Sequence, residues 1–150
     1  MKFISITPEN VTDYEKTVQT QHIPSLVKFY SPTCGHCTDM QPAWNALKNN
    51  DAINNMNIAV IEVRNDTLDS LKHETTKGVK GFPTIRVVIN GTLKKEYDGD
   101  RSTDDMVNFI KENLAGQQKG GKRSKRTKRT KRTKRTKRNK RNKRSRRTRK

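Results

Sequence analysis

Leu26-Val27-Lys28-Phe29-Tyr30-Ser31-Pro32-Thr33-Cys34-Gly35-His36-Cys37-Thr38-Asp39-Met40-Gln41-Pro42-Ala43-Trp44-Asn45-Ala46-Leu47 decides how the chain is read. Its first five residues form a near-continuous apolar run, as in a strand covered on both faces, broken only by Lys28. From Thr38 onward Met40, Ala43, Trp44 and Leu47 recur at spacings of three and four, the period of one helix face. Pro42 lies inside that helix and is expected to kink it. Between the two lies Cys34-Gly35-His36-Cys37, which holds both cysteines of the chain. A C-x-x-C at a strand-to-helix turn points to redox chemistry; the competing readings are a structural disulfide and half a zinc site. Zinc needs four ligands, and the remaining histidines, His22, His36 and His73, match no ligand spacing. His22 and His73 are expected to face solvent, and Trp44 to pack in the core or a surface groove.

Outward from this stretch the chain alternates strands and helices. Residues 2–6 read as an edge strand, and Thr7 as the N-cap of a helix with Pro8 in its first turn and Val11, Tyr14 and Val18 inward. Residues 57–63 are a second apolar strand. Asp66 or Thr67 is expected to cap a short helix bearing Leu68 and Leu71 that ends near Gly78. Residues 84–89 form a strand, Asn90-Gly91 is a strong hairpin signal, and residues 92–97 pair back. Ser102 caps the last helix, with Met106, Phe109, Ile110 and Leu114 inward and Gly116 as its stop. The order βαβαβαββα implies an α/β fold in which a central mixed sheet is flanked by helices.

Charge divides the chain in two. The 150 residues carry a formal net charge of +19, but 21 of the 34 basic residues lie in 119–150, beside no acid. Residues 1–118 hold 13 basic and all 15 acidic residues, a net −2. Their hydrophobic content is about 37%, ordinary for a small core. The boundary is drawn as a folded domain over 1–116 and a low-complexity tail over 117–150. Lys-Arg-Thr repeats four times there and nothing apolar is present, so disorder is expected. With no aromatics, the tail offers phosphate neutralisation without base stacking. Nucleic acid or another polyanion is the expected partner; nuclear import, an anionic membrane surface or no role are the alternatives.

No segment approaches the length of a membrane span, and the first residues carry too short an apolar patch for a secretory signal. A cytoplasmic, nuclear or virion-associated monomer is therefore expected.

The chain resembles the thioredoxin superfamily, and within it a single catalytic domain of protein disulfide isomerase. Phe29-Tyr30-Ser31-Pro32-Thr33-Cys34-Gly35-His36-Cys37 is similar to the isomerase active-site segment, and Pro42 stands where that family kinks its helix. Gly78-Val79-Lys80-Gly81-Phe82-Pro83-Thr84-Ile85 resembles the second signature, whose proline is cis. Asp98-Gly99-Asp100-Arg101 resembles the isomerase segment before the last helix. The resemblance implies a thioredoxin fold and thiol–disulfide exchange on protein thiols and disulfides. The reacting group is the Cys34–Cys37 dithiol itself, with no added cofactor and no metal. Cys34 is the expected attacker, at a helix N-terminus that favours its thiolate, and Cys37 the resolving thiol. Gly35 and His36 tune the pair, with His36 adding positive charge beside Cys34. That places the reduction potential nearer the isomerases, about −180 mV, than thioredoxin, about −270 mV. Phe82, Pro83 and Thr84 form the expected substrate edge, where an extended peptide adds by β-pairing.

Three positions depart from the family. Thr33 replaces an aromatic residue before the first cysteine. Lys28 replaces a buried acid, and Val60 stands where that acid's lysine partner is expected. Lys28 is expected to snorkel and stay charged, with action as a neutral base the lesser reading. Arg101 corresponds to an arginine that lowers the resolving thiol's pKa in the isomerase, and is expected to compensate. The lumen of the endoplasmic reticulum enters only through this resemblance. The rival to an oxidoreductase tethered by its tail is a nucleic-acid-binding or packaging protein with the folded domain as its head.

Overall fold

The computed structural model describes residues 1–114. Within them the strands are β1 (Lys2–Ile6), β2 (Ser25–Tyr30), β3 (Ala59–Arg64), β4 (Thr84–Ile89) and β5 (Thr92–Glu96). The helices are α1 (Val11–Glu15), α2 (Gly35–Ala46), α3 (Asp51–Asn54) and α4 (Thr103–Leu114). The strands form one sheet in the order β1-β3-β2-β4-β5. β1, β3 and β2 run parallel, and β4 and β5 are antiparallel additions. This is the thioredoxin fold expected from the sequence, with β1 at one edge. Among the described residues no helix is long and apolar enough to cross a membrane.

The central strand β2 is buried along five of its six residues, because helices cover both faces of the sheet. Its side chains alternate between two cores. Leu26 joins Met40, Trp44, Val60, Met106 and Ile110 under α2 and α4. Val27 and Phe29 join Tyr14, Val18, Ile61 and Val63 under α1. Thr103 Oγ1 donates to the Ala43 carbonyl at 3.1 Å and ties α4 to α2. Asn90 (φ 52°) and Gly91 (φ 72°) make the expected two-residue hairpin turn, whose left-handed conformation suits those residue types. Ser102 Oγ accepts the Asp105 N–H at 3.2 Å and caps α4 as expected. All five residues of β5 are exposed.

Several local expectations change. Thr7 does not cap α1. Asn10 Oδ1 accepts the Thr7 N–H at 2.7 Å and Asn10 Nδ2 donates to the Ser5 carbonyl at 2.9 Å, so residues 7–10 make a turn and the helix begins at Val11. It continues as a π-helical turn, Lys16–Thr20. After α2, Asn50 caps the short α3, its Oδ1 accepting the Ala52 N–H at 3.0 Å. The helix expected between β3 and β4 is two 3₁₀ segments, Asn65–Ser70 and Glu74–Thr76. Leu68 and Leu71, three apart, suit a 3₁₀ turn as well as an α-helix, and the polar residues around them favour local turns. The tail, the stop at Gly116 and the 116/117 boundary lie outside the described residues.

Candidate active site

Cys34 ends the loop after β2 and is the N-cap of α2. Its carbonyl accepts the Cys37 and Thr38 N–H groups at 3.1 Å each. Its Sγ accepts the Cys37 N–H at 3.2 Å and donates to the Phe82 carbonyl at 3.4 Å. The sulfur therefore takes the capping position that a serine or aspartate oxygen fills elsewhere. Free N–H groups and the helix dipole at that end favour a negative charge on it. Cys34 is half-buried and Cys37, one turn on, is 3% exposed; both are free thiols. Burial pushes the Cys37 thiol up, the hydrogen bond with Cys34 adds to this, and the Lys28 charge opposes both.

Gly35 and His36 are exposed. A Cβ added at Gly35 meets nothing within 4 Å. The Phe82–Pro83 peptide is cis, as the resemblance implies. Phe82, Pro83 and Thr84 are half-buried, and the Phe82 carbonyl brings this edge into contact with Cys34. Thr33 is exposed, and its hydroxyl lies 3.1 Å from Ser31 Oγ. Arg101 is exposed with φ 65°, and its side chain pairs with nothing among the described residues. Its backbone N–H donates to Tyr97 Oη at 2.9 Å, and Tyr97 Oη donates to Asp105 at 2.5 Å. The structure thus brings Cys34, Cys37 and Phe82 together by hydrogen bonds, in which the Arg101 side chain takes no part.

Lys28 differs most from expectation. It does not snorkel: it is fully buried, on the face of β2 that looks toward α2. Its Nζ donates to Gln41 Oε1 at 2.8 Å and lies 4.7 Å from the Trp44 ring centre and 4.9 Å from that of Tyr30. Glu62 Oε2 is 3.3 Å from Nζ. That contact is an ion pair and not a hydrogen bond, because Oε2 is buried with no hydrogen-bond partner among the described residues. Ser5 Oγ donates to the other carboxylate oxygen at 2.5 Å. The cross-strand register explains the partner: Lys28 lies opposite Glu62, whereas Val60 lies opposite Leu26 and is wholly core. The expectation that Val60 occupies the partner position is therefore corrected. An acid and a base do pair across β2 and β3 under α2, with the base on β2 and the acid on β3, the reverse of what the resemblance implies.

Burial pulls the Lys28 ammonium down from its ordinary range, with Glu62 acting against it. For Glu62 burial acts upward, but the hydrogen bond from Ser5 and the Lys28 charge together outweigh it and hold the carboxyl below its usual range.

His73 is also corrected. It is buried, not solvent-facing, its Nδ1 is 2.5 Å from Thr75 Oγ1, and it accepts the Thr75 N–H at 3.2 Å. Tyr14 Oη completes this cluster 2.7 Å from Thr75 Oγ1. Trp44 is core packing, as expected, and His22 is exposed, as expected.

A dithiol at the start of a helix, resting on a five-stranded mixed sheet beside a cis-proline loop, defines a class. The chain belongs to the thioredoxin family, whose model, described as Thioredoxin, matches residues 5–112. Among its relatives, Protein disulfide-isomerase 1 of Dictyostelium discoideum is 31% identical over 110 residues, 71% of this chain and 28% of that protein. Protein disulfide-isomerase erp38 of Neurospora crassa is 35% identical over 97 residues, 64% of this chain and 26% of that protein. The chain spans between 18% and 28% of the length of the first such relatives. Among solved structures, a mutant thioredoxin from Halobacterium salinarum superposes with a TM-score of 0.57 at 20% identity, over 75% of this chain and 90% of its own. The J-Trx1 fragment of ERdj5 superposes with a TM-score of 0.58 at 24% identity, over 73% of this chain and 50% of its own. Residues 5–112 are thus a thioredoxin domain similar to those of protein disulfide isomerases.

Proposed function

We propose that the protein is a thiol–disulfide oxidoreductase of the isomerase type, acting on protein disulfides through Cys34 and Cys37. The observation that carries this is the placing of Cys34 Sγ. It is half-buried and not sealed, caps α2, and touches the Phe82 carbonyl beside the cis proline. In the first step the Cys34 thiolate attacks one sulfur of a substrate disulfide. The substrate S–S bond breaks, its other sulfur leaves as thiolate, and a mixed disulfide forms on Cys34. Cys37 then attacks Cys34 Sγ and releases the reduced substrate, leaving Cys34–Cys37 oxidised; the reverse sequence oxidises a substrate dithiol. Residues 82–84 supply the edge on which an extended substrate segment lies, and His36 beside the thiolate favours the reduced form. The working potential is near −180 mV rather than −270 mV, a difference of about 4 kcal/mol for two electrons. A measured potential below that of thioredoxin overturns this assignment.

The second reading is favoured by the 21 basic residues of 119–150. In it the protein binds or packages nucleic acid or another polyanion through these residues, and the thioredoxin domain is mainly a folded head; in the first reading the same residues tether the oxidoreductase and raise its effective concentration at substrates there. If about 10 of these charges meet duplex phosphates, the affinity falls with salt at a log–log slope near −9. One experiment separates the two. Disulfide reduction and isomerisation are measured for the intact protein, for Cys34→Ser, and for a form ending at Gln118. Loss of activity in the serine variant but not in the shortened form supports the oxidoreductase. If the intact protein shows no thiol activity above background, the packaging reading replaces it.

A further inference from the structure

The dithiol helix stands over an ion pair whose cation, Lys28, is fully buried and touches the helix directly. Cys37, Gln41 and Trp44 follow one another along one face of α2 at spacings of four and three, so their side chains stack in adjacent turns. Lys28 Nζ touches two of the three, bonding Gln41 at 2.8 Å and lying 4.7 Å from the Trp44 ring centre. Glu62 reaches Lys28 across the β2–β3 register and is itself held by Ser5 of β1.

We infer that Lys28 is a positioning residue for the second step: its ammonium, held under α2 by Glu62, stabilises the Cys37 thiolate that resolves the mixed disulfide. This rests on the proposed exchange reaction and deepens it. The Cys37 Sγ–H gives its proton to water. The thiolate attacks Cys34 Sγ, the bond between Cys34 and the substrate sulfur breaks, and that sulfur leaves with the electron pair and takes a proton from water. The dithiol loses two electrons, and the substrate disulfide gains them. Lys28 neither accepts nor donates a proton; it supplies charge. The Glu62 carboxylate, already engaged by Ser5 and Lys28, anchors that charge.

Few groups compete with this assignment. Cys37 is faced by the Cys34 thiol at the start of α2 and by Lys28 from β2. Lys28 is faced by Glu62 from β3, by Tyr30 on its own strand, by Gln41 and Trp44 from α2, and by the more distant Lys48 ammonium beyond α2. Exposed surface charges do not enter the pocket, so the effect on Cys37 is insensitive to salt.

The test titrates Cys37 directly, in a Cys34→Ser background, from the ultraviolet absorbance of its thiolate. Lys28→Met combined with Glu62→Gln removes both charges and keeps the volume, which a packed interior tolerates better than a single deletion. The expected result is a Cys37 midpoint higher by about one unit, hence about tenfold less thiolate at fixed pH. With Cys34 restored, resolution of a pre-formed mixed disulfide is about tenfold slower, while the rate of the Cys34 attack is unchanged. The reversed pair, Lys28→Glu with Glu62→Lys, raises the Cys37 midpoint further. If the pair merely fills its site, the reversed pair titrates like the parent. An unchanged midpoint in the neutral pair overturns the inference. The titration needs no substrate, so failure of the exchange reaction itself is read separately, as the absence of any mixed disulfide on Cys34 in a Cys37→Ser variant.

Discussion

The sheet buries two cations, one on each face, and they are held in opposite ways. Arg86 on β4 looks toward α1. Its Nη1 donates to the Thr75 carbonyl at 3.0 Å and the Lys77 carbonyl at 2.8 Å, its Nε pairs with Glu96 at 3.0 Å, and its guanidinium carbon lies 5.7 Å from the Phe29 ring centre. Lys28 on β2 looks toward α2, with one hydrogen bond, one ion pair and two aromatic faces. The rigid guanidinium fork is bound to backbone and fixes the chain before the cis-proline loop. The ammonium is bound by side chains alone, so its charge remains available to a neighbouring thiol. Burial of a charge is therefore not one kind of feature. What binds the group decides whether it braces the fold or acts on the chemistry.

The sharpest way to break this contrast is to delete each cation alone. Lys28→Met leaves the half-buried Glu62 carboxylate without its cation, held by Ser5 alone, and denaturant unfolding should show a loss of about 3 kcal/mol, the lower end of the range for a broken buried pair. Most of that loss should be recovered in the double variant with Glu62→Gln. Arg86→Met leaves two carbonyls without their donor, for a loss of about 2–4 kcal/mol, and it should leave the Cys37 titration where it was. A Cys37 shift in Arg86→Met would collapse the distinction between the two faces.

A smaller effect probes the Arg86 face by pH. Burial pushes the Tyr14 hydroxyl up to about 12, against hydrogen bonding by Thr75 and the Arg86 charge. The unfolded group ionises near 10.0, so the contribution of Tyr14 to stability is whole below that pH. It is lost as pH rises toward 12, a loss of about 2–3 kcal/mol for two units. Tyr14→Phe should cost about 1 kcal/mol at neutral pH, for the hydroxyl bonded to Thr75. Above pH 10 it should not share the alkaline decline; unfolding curves between pH 8 and about 12 check this.

The smallest effect lies on the Lys28 face. Glu62 is held below its usual range, so its contribution is present above the unfolded carboxylate pKa and lost as pH falls through the folded value. Ser5→Ala removes the hydroxyl that helps hold it there. The acid unfolding limb should move to higher pH, with a neutral-pH cost of about 1 kcal/mol or less.

Much of this was legible in the sequence because it is local. The apolar run of β2, the stripe Met40-Trp44-Leu47, the Asn90-Gly91 turn and the Ser102 cap each announce themselves within a few residues. So does the pairing of Cys34 and Cys37 across one helical turn. Cross-strand relations carry no such signal. Glu62, after three apolar residues of its strand, reads as an outward-facing charge until the parallel register with β2 sets it against Lys28. The same holds for His73, whose burial depends on Tyr14, 59 positions earlier, arriving over Thr75. The third connection failed for a different reason. Asn65-Asp66-Thr67-Leu68-Asp69-Ser70 is rich in side chains that bond their own backbone, which favours 3₁₀ turns over a regular helix.

The open space around Gly35 makes this domain unusually easy to retune. The residue begins α2 next to Cys34, is exposed, and a Cβ placed on it meets no atom of the rest of the protein within 4 Å beyond its chain neighbours and its own helix backbone. A lysine, a glutamate or an aromatic ring fits there without repacking a core. The two-residue insert between the thiols is thus a place where a side chain can be added beside Cys34 while the sheet and its buried charges stay as they are.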